Sequence, residues 1–458
     1  MIFLLLLSTI HFSGNEKFEY LILDRNEDYI ENTFFINIRQ KPFAIYLKSL
    51  LFLPPKTDEY KFILWKRFNG KFDFLELNLG NYYATYLDGL LLRAYNDIAY
   101  KRDKSLFGLH LSLKAGIFNI SGFTGRPRNI LYENYDYHII NDTTNTLTGI
   151  NTEFRVRKQR FEFGYLRMRD RGDIYPTTFT ELYGAGMELK FDISDMFLYY
   201  IHKGGARPYL GTAYDGDGFA GGLSFYLHPV GLQFYYSYYD SIALGGGLYR
   251  YNDPRPLNRS EISINRGEDE RGFSAILDFS PGPYYIEAHL SNIRTFDIRK
   301  RVEDHYVKLE IPLHGFNKIT LDYEYILKRN FEPYVDLKVE NTPRIIYEVS
   351  IEEVGLRALG GITVIEADTF KYTEGNLEVS LSYNRFSVTG SYIRRSKKIL
   401  YLEENVRWRK LETMMEAPDN LILRMMIGEE MGGLVCSGGV CRFESPFRGV
   451  KFLLEKRF

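Results

Sequence analysis

The only two cysteines of this 458-residue chain, Cys436 and Cys441, lie close together in the stretch Cys-Ser-Gly-Gly-Val-Cys. Cysteines at such short spacing can form a redox pair, half of a metal site or a structural disulfide. A redox pair is usually Cys-x-x-Cys, and a zinc site needs further ligands at short spacing. The sequence shows neither pattern here, so the interpretation depends on whether the protein lies in an oxidising compartment.

Other side chains capable of catalysis show no recognisable arrangement. The sequence contains no Gly-x-Ser-x-Gly, His-Glu-x-x-His or P-loop motif. His110 and His289 could join an acid–base site, but the pattern clearly favours ordinary polar residues that line the lumen. Asp215-Gly216-Asp217 resembles a calcium-loop fragment without its distal bidentate acid, which favours a turn. We therefore predict no enzyme, no metal and no cofactor, and a hydrolase remains as the enzymatic alternative.

The composition limits the classes of partner and fold. Lys and Arg number 58 and Asp and Glu number 59, so the net charge of -1 provides no electrostatic footprint for nucleic acid. Tyrosine (37) and phenylalanine (34) are abundant, whereas tryptophan occurs only 2 times. Aromatic residues of this kind are favoured in β-strands. No Pro-rich or low-complexity linker divides the chain, which indicates a single large domain.

The N-terminal stretch from Ile2 to Ile10 is apolar but too short to span a bilayer as a helix. Its length is that of the apolar part of a signal peptide. We predict that residues 1–14 are a signal peptide, or the remainder of a truncated one because no basic residue precedes the run, and that residues 15–458 form the mature domain. An unusual first strand is the alternative. No later stretch is apolar enough for a transmembrane helix.

Apolar and polar residues alternate with a period of two along most of the chain. Within 317–327, Leu321 and Tyr323 belong to the apolar set, and the residues between them are polar. Many such segments last ten residues or more, and turn signals such as Asn69-Gly70, Pro229, 280–283, His314-Gly315 and Glu374-Gly375 separate them. The pattern predicts long antiparallel strands.

Two architectures use such strands, a large soluble β-protein and a membrane barrel. Strands of roughly ten residues, short turns at one rim and long polar connections at the other are typical of outer-membrane barrels. The predicted long connections are 126–147, 204–216 and 250–268. We therefore predict an all-β fold, a single transmembrane antiparallel β-barrel of about 18–22 strands with short periplasmic turns and longer extracellular loops. A large soluble β-protein is the alternative.

Polar residues of the alternating segments would line the lumen of such a barrel. Their signs are mixed, which predicts no strong preference for anions or cations, although cross-strand ion pairs would explain them equally well. The segment 82–97 breaks the period and could fold inward as a constriction or plug, or form an irregular strand or an ordinary loop. The lumen-lining candidates are His110, Lys114, Arg155, Arg157, Glu188, Lys190, Glu287, His289, Lys308, Glu310, Lys318, Asp322 and Glu324.

The last residues of the chain form one more alternating segment. Phe452, Leu454 and Phe458 share its apolar face. This resembles the C-terminal strand of bacterial outer-membrane proteins, whose terminal aromatic residue is read by the barrel-assembly machinery. Lys456 departs from that pattern, although a lysine near the rim can extend its amine toward water.

Segments 77–82, 89–95, 252–259 and 432–442 resemble an uncharacterised porin-like outer-membrane β-barrel family, a domain of unknown function found in certain Gram-negative phyla. The cysteine segment is the most distinctive of these. The resemblance implies the barrel fold and an outer-membrane location, but no activity.

The favoured function is a porin-like channel for small solutes in the bacterial outer membrane, with lipid and the barrel-assembly machinery as partners. A plugged barrel that acts as a surface scaffold or as a secretion or assembly partner is the alternative. The oligomeric state stays open. In a barrel closed at the periplasmic rim by Phe458, the connection before the last strand is extracellular. Cys436 and Cys441 are then predicted to form a disulfide across a tight hairpin, which contributes about 2 kcal/mol in the chain-entropy model.

Overall fold

The computed structural model describes residues 11–458 with gaps. The residues outside the described part are 1–10, 24–28, 55–58, 98–100, 134–135, 142–144, 171–178, 207–214, 246–250, 253, 255, 261–267, 316, 333–334, 397–405, 432, 438–439 and 445–446. Strands occupy most of the described chain, and only two short 3₁₀ turns, Leu87–Gly89 and Pro418–Asn420, are helical. Among the described residues, no helix has the length and apolarity needed to cross a membrane.

The strands are numbered in chain order. They are β1 (His11–Leu23), β2 (Tyr29–Gln40), β3 (Phe43–Leu53), β4 (Lys61–Lys71), β5 (Leu75–Tyr82), β6 (Ala84–Tyr86), β7 (Leu92–Ala94), β8 (Asn96–Asp97), β9 (Arg102–Ala115), β10 (Phe118–Glu133), β11 (Asp136–Asn141), β12 (Asn145–Val156), β13 (Gln159–Asp170), β14 (Phe179–Lys190), β15 (Ser194–Ala206), β16 (Gly216–Leu227), β17 (Val230–Asp240), β18 (Asp269–Phe279), β19 (Tyr285–Arg294), β20 (Arg301–Pro312), β21 (Lys318–Glu332), β22 (Val335–Ile351), β23 (Val354–Ala367), β24 (Lys371–Tyr383), β25 (Phe386–Arg395), β26 (Arg407–Ala417), β27 (Leu421–Glu430), β28 (Gly433–Ser437), β29 (Val440–Glu444) and β30 (Phe447–Arg457).

The strands close into one antiparallel barrel, as the alternating pattern predicts. Each wall strand pairs with its neighbours, and β1 pairs with both β2 and β30, which closes the sheet. The wall contains 24 strands, namely β1–β5, β9, β10, β12–β27 and β30. The expected number of about 18–22 was too low because it allowed for longer connections between strands. Segment 126–147 shows this directly, since β10 continues to Glu133 and β11 fills much of the rest.

The two rims of the barrel differ in the length of their connections. At one rim, short turns such as Lys41-Pro42, Gly116-Ile117 and His228-Pro229 join consecutive strands. Both ends of the described chain also lie at this rim, where the backbone N–H groups of Gly14 and Phe458 each donate to the carbonyl of the other residue. The longer connections lie at the opposite rim. The short-turn rim is therefore the periplasmic rim of the predicted architecture.

Three predicted turns lie where expected and two do not. Pro229, 280–283 and His314-Gly315 all fall in connections between strands, whereas Asn69-Gly70 lies inside β4 and Glu374-Gly375 inside β24. Pairing with the neighbouring strands continues through both dipeptides. A glycine within a strand is compatible with backbone hydrogen bonding to the neighbouring strands, so strand pairing outweighed the local preference for a turn.

The first strand overlaps the predicted signal peptide. β1 begins at His11, so residues 11–14 pair with β2, and a boundary at residue 14 would remove the first four residues of this strand. Residues 1–10 lie outside the described part of the chain. The signal peptide itself stays a prediction.

The wall has an apolar outer face and a polar inner face. Phe107, Leu109, Leu111 and Leu113 of β9 are exposed on the outside, as are corresponding apolar residues around the barrel. A band of exposed apolar side chains is the surface that a bilayer covers. The interior carries the polar residues together with two clusters of buried apolar side chains, described below.

The pairing between β4 and β5 is shorter than the other wall pairings. β4 pairs with β3 along most of its length but with β5 only through Arg67–Lys71. Above this point, side chains bond to the free edge of β4. The Asn81 Oδ1 atom accepts a hydrogen bond from the Lys66 N–H at 3.1 Å, and Arg128 donates to the Leu64 carbonyl at 2.6 Å. The strands thus diverge here, and a cavity opens inside the wall.

Candidate functional site

The lumen contains a segment that leaves the wall directly after β5. Residues 83–97, here called the insert, form β6, a 3₁₀ turn, β7 and β8 within the barrel. The side chains of Leu87, Leu90, Leu91 and Leu92 are almost fully buried against the inner wall. The interrupted alternation in 82–97 thus corresponds to an inward fold rather than to an irregular wall strand. The insert is the principal element of the site.

Glycines on the inner face of the wall leave the space that the insert occupies. A Cβ on Gly184 would lie 2.2 Å from Leu87 Cδ1, and one on Gly164 would lie 2.4 Å from Leu91 Cδ2. The Leu87 N–H donates to Glu162 Oε1 at 3.0 Å, which fixes the turn against the wall. This docking surface was not predicted from the sequence. The only signal for it was the presence of glycines at polar-face positions of β13 and β14.

A second inner segment, the β17–β18 connection, packs on the insert. The buried Asn252 side chain donates to the carbonyls of Leu90 (3.1 Å) and Ile242 (2.8 Å) and accepts from the Leu244 N–H (2.8 Å). The amide of this one side chain therefore makes hydrogen bonds to three buried backbone groups, which would otherwise lack partners. The amide ties the two inner segments together.

The later part of the β17–β18 connection contacts β20 and β21. Arg259 pairs with Glu324 at 3.0 Å and lies over the Tyr306 ring at 3.7 Å. Ser260 donates to Asp304 through both its N–H and its hydroxyl group. This connection thus crosses the lumen side of β20 and β21.

The β10–β11 hairpin also turns into the barrel. The rings of Tyr132 and Tyr137 contact Phe52 of β3 at centroid distances of 6.1 and 5.0 Å. Lys61 of β4 pairs with Asp136 at 2.5 Å. These contacts belong to the second buried cluster, which joins the hairpin to β1–β4 and also includes Met426 of β27 and Phe447 of β30.

The predicted lumen charges between β19 and β21 form part of a continuous row of ion pairs. Glu287 pairs with Lys308 at 2.8 Å, Lys308 with Glu310 at 3.4 Å, and Glu310 with Lys318 at 3.8 Å. The row, here called the ladder, continues onto β22–β24 through Lys318–Glu348 (3.2 Å), Arg357–Glu348 (3.7 Å) and Arg357–Glu378 (2.6 Å). Positive and negative charges alternate along the ladder. This is the cross-strand ion pairing that the sequence offered as an alternative explanation for these residues.

A second group of charges lies beside the ladder. Arg344 donates to Asp322 at 2.6 Å and to Glu324 at 3.3 Å. The partners Arg344, Glu348, Arg357 and Glu378 were absent from the sequence-based candidates. They lie on the same alternating faces, so extending the pattern into β22–β24 would have found them.

The remaining candidates occupy varied positions. His110 Nε2 lies 2.8 Å from the Tyr86 hydroxyl of the insert, and His289 is buried in the wall. Glu188 accepts from Arg160 at 2.6 Å, and Arg160 also pairs with Glu153 and Glu162. His110 is therefore bonded to Tyr86 and Asn78 rather than to a carboxylate.

Three basic candidates lie toward the short-turn rim, and one was placed wrongly. Lys114 and Lys190 are exposed, and Arg155 is exposed and pairs with Glu153 at 2.6 Å. Arg157 lies in the β12–β13 turn with a φ of 57°, outside the wall, so it does not line the lumen as predicted. The alternating pattern ends one residue earlier, because Val156 is the last residue of β12.

Burial shapes the electrostatics of the inner segments. It raises the pKa of Tyr86 to about 12, which keeps the phenol protonated beside His110. Burial opposes the charge of Lys101, yet the attraction of Glu31 outweighs it and raises the pKa of this lysine. Both groups therefore keep one protonation state across the physiological range.

The calcium-like segment is part of the wall. Asp217 lies in β16 and accepts hydrogen bonds from Tyr200 (2.5 Å) and His202 (3.1 Å). Within the described ranges, no group of three or more acidic, His or Cys side chains is arranged to hold a metal ion.

The C-terminal residues lie in the closing strand. Phe452, Leu454 and Phe458 are exposed on the outer apolar face, and the Phe458 ring stacks on Phe34 at 6.3 Å. Recognition by the barrel-assembly machinery stays a prediction, since it concerns the chain before the barrel has closed.

The two cysteines lie opposite each other in the β28–β29 hairpin, at the long-connection rim. The backbone register pairs Cys436 with Cys441, and their side chains lie outside the described part of the structure. Directly opposed residues of antiparallel strands have Cα separations of about 4.5–5.5 Å, within the range that a disulfide requires.

The disulfide is tested by mass spectrometry of the purified protein without reductant. We expect the intact mass to be lower by two hydrogens than that of the reduced protein, and an alkylating reagent to modify neither thiol. Cys436→Ser is the control, because it should expose one alkylatable thiol at Cys441. Two free thiols in the native protein would contradict the prediction.

Comparisons with known proteins support the architecture. Residues 17–166, from β1 into β13, match a family of unknown function (DUF6029). The P pilus usher (PapC) translocation pore is similar in structure, with 10% sequence identity, a TM-score of 0.50, and coverage of 97% of this chain and 98% of that chain. A comparison with curated proteins gives no match.

Two further solved structures are similar. A chain of the E. coli P pilus tip assembly intermediate PapC-PapD-PapK-PapG has 8% identity and a TM-score of 0.55, and the match covers 98% of this chain and 60% of that chain. OccK9 (OpdG) of Pseudomonas aeruginosa has 13% identity, a TM-score of 0.47 and coverage of 79% of this chain and 99% of that chain. At these identities, the PapC likeness shows a shared barrel fold alone.

Proposed function

We propose that this chain is an outer-membrane channel for small polar solutes, whose passage runs past the ladder at the short-turn side of β19–β24. The observation that carries the proposal is the unequal filling of the lumen. The two buried clusters around the inner segments involve β1–β4, β9–β17, β27 and β30, whereas the ladder pairs and the Thr342–Thr363 bond of β22–β24 run between wall strands. The ladder side chains of Lys318 and Glu348 remain 40% and 34% exposed. An apolar outer belt and a partly filled 24-strand lumen support a channel of restricted width.

The ladder also bears on which solutes would pass. Rings of one charge select ions of the opposite charge, whereas alternating charges offer both kinds of contact at each step. Small neutral or zwitterionic polar solutes fit this lining, and ions of either sign should pass with little preference. The mixed-charge character expected from the sequence thus becomes a specific arc of side chains across β19–β24.

Planar-bilayer recording of the purified full-length protein tests the proposal. We expect discrete conductance steps and, across a gradient of potassium chloride, a reversal potential close to zero, because opposite charges alternate along the path. A detergent-only preparation is the control. The absence of steps from protein that is demonstrably folded as a barrel would refute the open channel.

A plugged barrel that serves as a surface scaffold or as a secretion or assembly partner is the second candidate. The apolar packing of the insert favours it, because four buried leucines hold this segment against the wall. Absent conductance together with a stoichiometric partner in pull-down experiments would support it. The absence of an enzymatic activity stays a prediction from the sequence.

A further inference from the structure

A cavity of about 430 Å³ lies where β4 and β5 diverge. Its outer side is the inner face of β1–β4, with Tyr46, Lys48, Trp65 and Arg67. Its inner side is the insert and the start of β9, including Tyr83. The volume falls in the range of about 300–1,000 Å³ that is typical of pockets for small molecules.

Two cations in this cavity contact aromatic rings rather than carboxylates. Lys48 Nζ lies 4.4 Å from the centroid of the Trp65 ring, and the Arg67 guanidinium carbon lies 4.0 Å from the centroid of Tyr46. Arg67 Nε and Trp65 Nε1 are both buried, and no described residue accepts a hydrogen bond from either. Buried donors of this kind normally have partners, so their acceptor should come from a ligand or from water.

The acidic residues that line the same cavity are bonded to other groups. Glu31 pairs with Lys101 at 3.2 Å and accepts from Tyr137 at 3.1 Å. Asp103 accepts from Tyr83 at 2.6 Å and from the Ser105 N–H at 3.1 Å. Neither carboxylate is therefore paired with Lys48 or Arg67, although both lie near enough to moderate the positive charge.

The charge of the lining as a whole is positive. Six basic and three acidic residues line the cavity, so an anion entering it is attracted. The basic residues are Lys17, Lys48, Lys66, Arg67, Lys101 and Arg102, and the acidic ones are Glu31, Asp97 and Asp103.

We propose that this cavity binds a small organic anion, with a carboxylate held between Lys48 and Arg67 and an apolar body packed against Trp65 and Leu50. A guanidinium group suits a carboxylate because its planar fork can donate two parallel hydrogen bonds. The aromatic rings that now face the two cations supply the apolar contact. The proposal rests on the channel function only for the route by which the ligand arrives.

Calorimetric titration of the purified full-length protein tests the site without any conductance measurement. Benzoate is the probe, and benzamide is its neutral counterpart with nearly the same shape. We expect saturable binding of benzoate and at least tenfold weaker binding of benzamide and of inorganic phosphate. Equal binding of benzamide would contradict a contribution of the negative charge to binding. Equal binding of phosphate would contradict a contribution of the apolar ring.

A second readout locates the ligand. Trp65 and Trp408 are the only tryptophans, so Trp408→Phe makes the emission report on Trp65 alone. We expect benzoate to change this emission with the same concentration dependence as the heat. Saturable heat without any change in the emission would place the ligand elsewhere and contradict the proposal.

Substitutions identify the residues that hold the anion. Lys48→Met and Arg67→Met should each weaken benzoate binding at least tenfold, and Arg67→Lys should have a smaller effect because it keeps the charge. Lys318→Met, which removes a ladder cation outside the cavity, should leave binding unchanged and serves as the matched control. Unchanged affinity in both Met variants would refute the site, whatever the wild-type conductance is.

Discussion

Replacing residues 84–95 with a flexible Gly-Ser linker of the same length is expected to raise the single-channel conductance several-fold. The insert stays in the lumen because its leucines are buried against the wall, and full burial of such a side chain is worth about 1.5–3 kcal/mol. A Gly-Ser segment has no apolar side chains to bury and should leave the inner face of β13 and β14. The widened lumen then carries more ions at the same voltage. Single-channel recording of the two proteins under identical salt measures the change.

The matched control for this prediction preserves the packing of the insert. Leu87→Met with Leu91→Met keeps apolar side chains of similar volume against Gly184 and Gly164. We expect this variant to conduct like the wild type. If the linker variant forms a barrel and conducts no more than the wild type, the insert does not restrict the passage. A silent wild type combined with a conducting linker variant would instead favour the plugged scaffold.

The barrel itself could be predicted because its physical signal repeats along the whole chain. Alternation such as Leu321 and Tyr323 outside with Asp322 and Glu324 inside recurs in almost every wall strand. The number of wall strands was underestimated because many connections at the short-turn rim take only two residues, such as Lys41-Pro42 and His228-Pro229, which leaves more of the chain for strands. Residues 126–141 are polar and irregular in sequence, yet most of them pair as β10 and β11.

The interior could be predicted only in part. The loss of alternation in 82–97 indicated an unusual segment, but an inward fold and an irregular strand share that signal. The partners of the insert, Gly164, Gly184 and Asn252, are distant in sequence, and the only signal of the contact was the position of the two glycines on the polar faces of β13 and β14. Only part of the ladder was predicted from the sequence, because Lys308 and Lys318 were candidates whereas their neighbours in β22–β24 were not. Contacts between distant strands depend on register, which a single sequence does not specify.

The path of ions along the ladder is tested by placing a reactive thiol on it. Glu348→Cys, in a Cys436→Ser/Cys441→Ser background, puts a cysteine at a partly exposed ladder position. Ile345→Cys is the control, because Ile345 is 51% exposed on the outer apolar face of the same strand. Mass spectrometry should confirm that a bulky charged thiol reagent modifies both variants.

Single-channel recording during this modification is the most direct measurement of the central claim. A bulky adduct on the path obstructs ions, whereas one on the outer face does not. We predict that the conductance of Glu348→Cys falls in a single step when the reagent reacts, while that of Ile345→Cys stays unchanged. An unchanged conductance in fully modified Glu348→Cys would contradict a passage along the ladder.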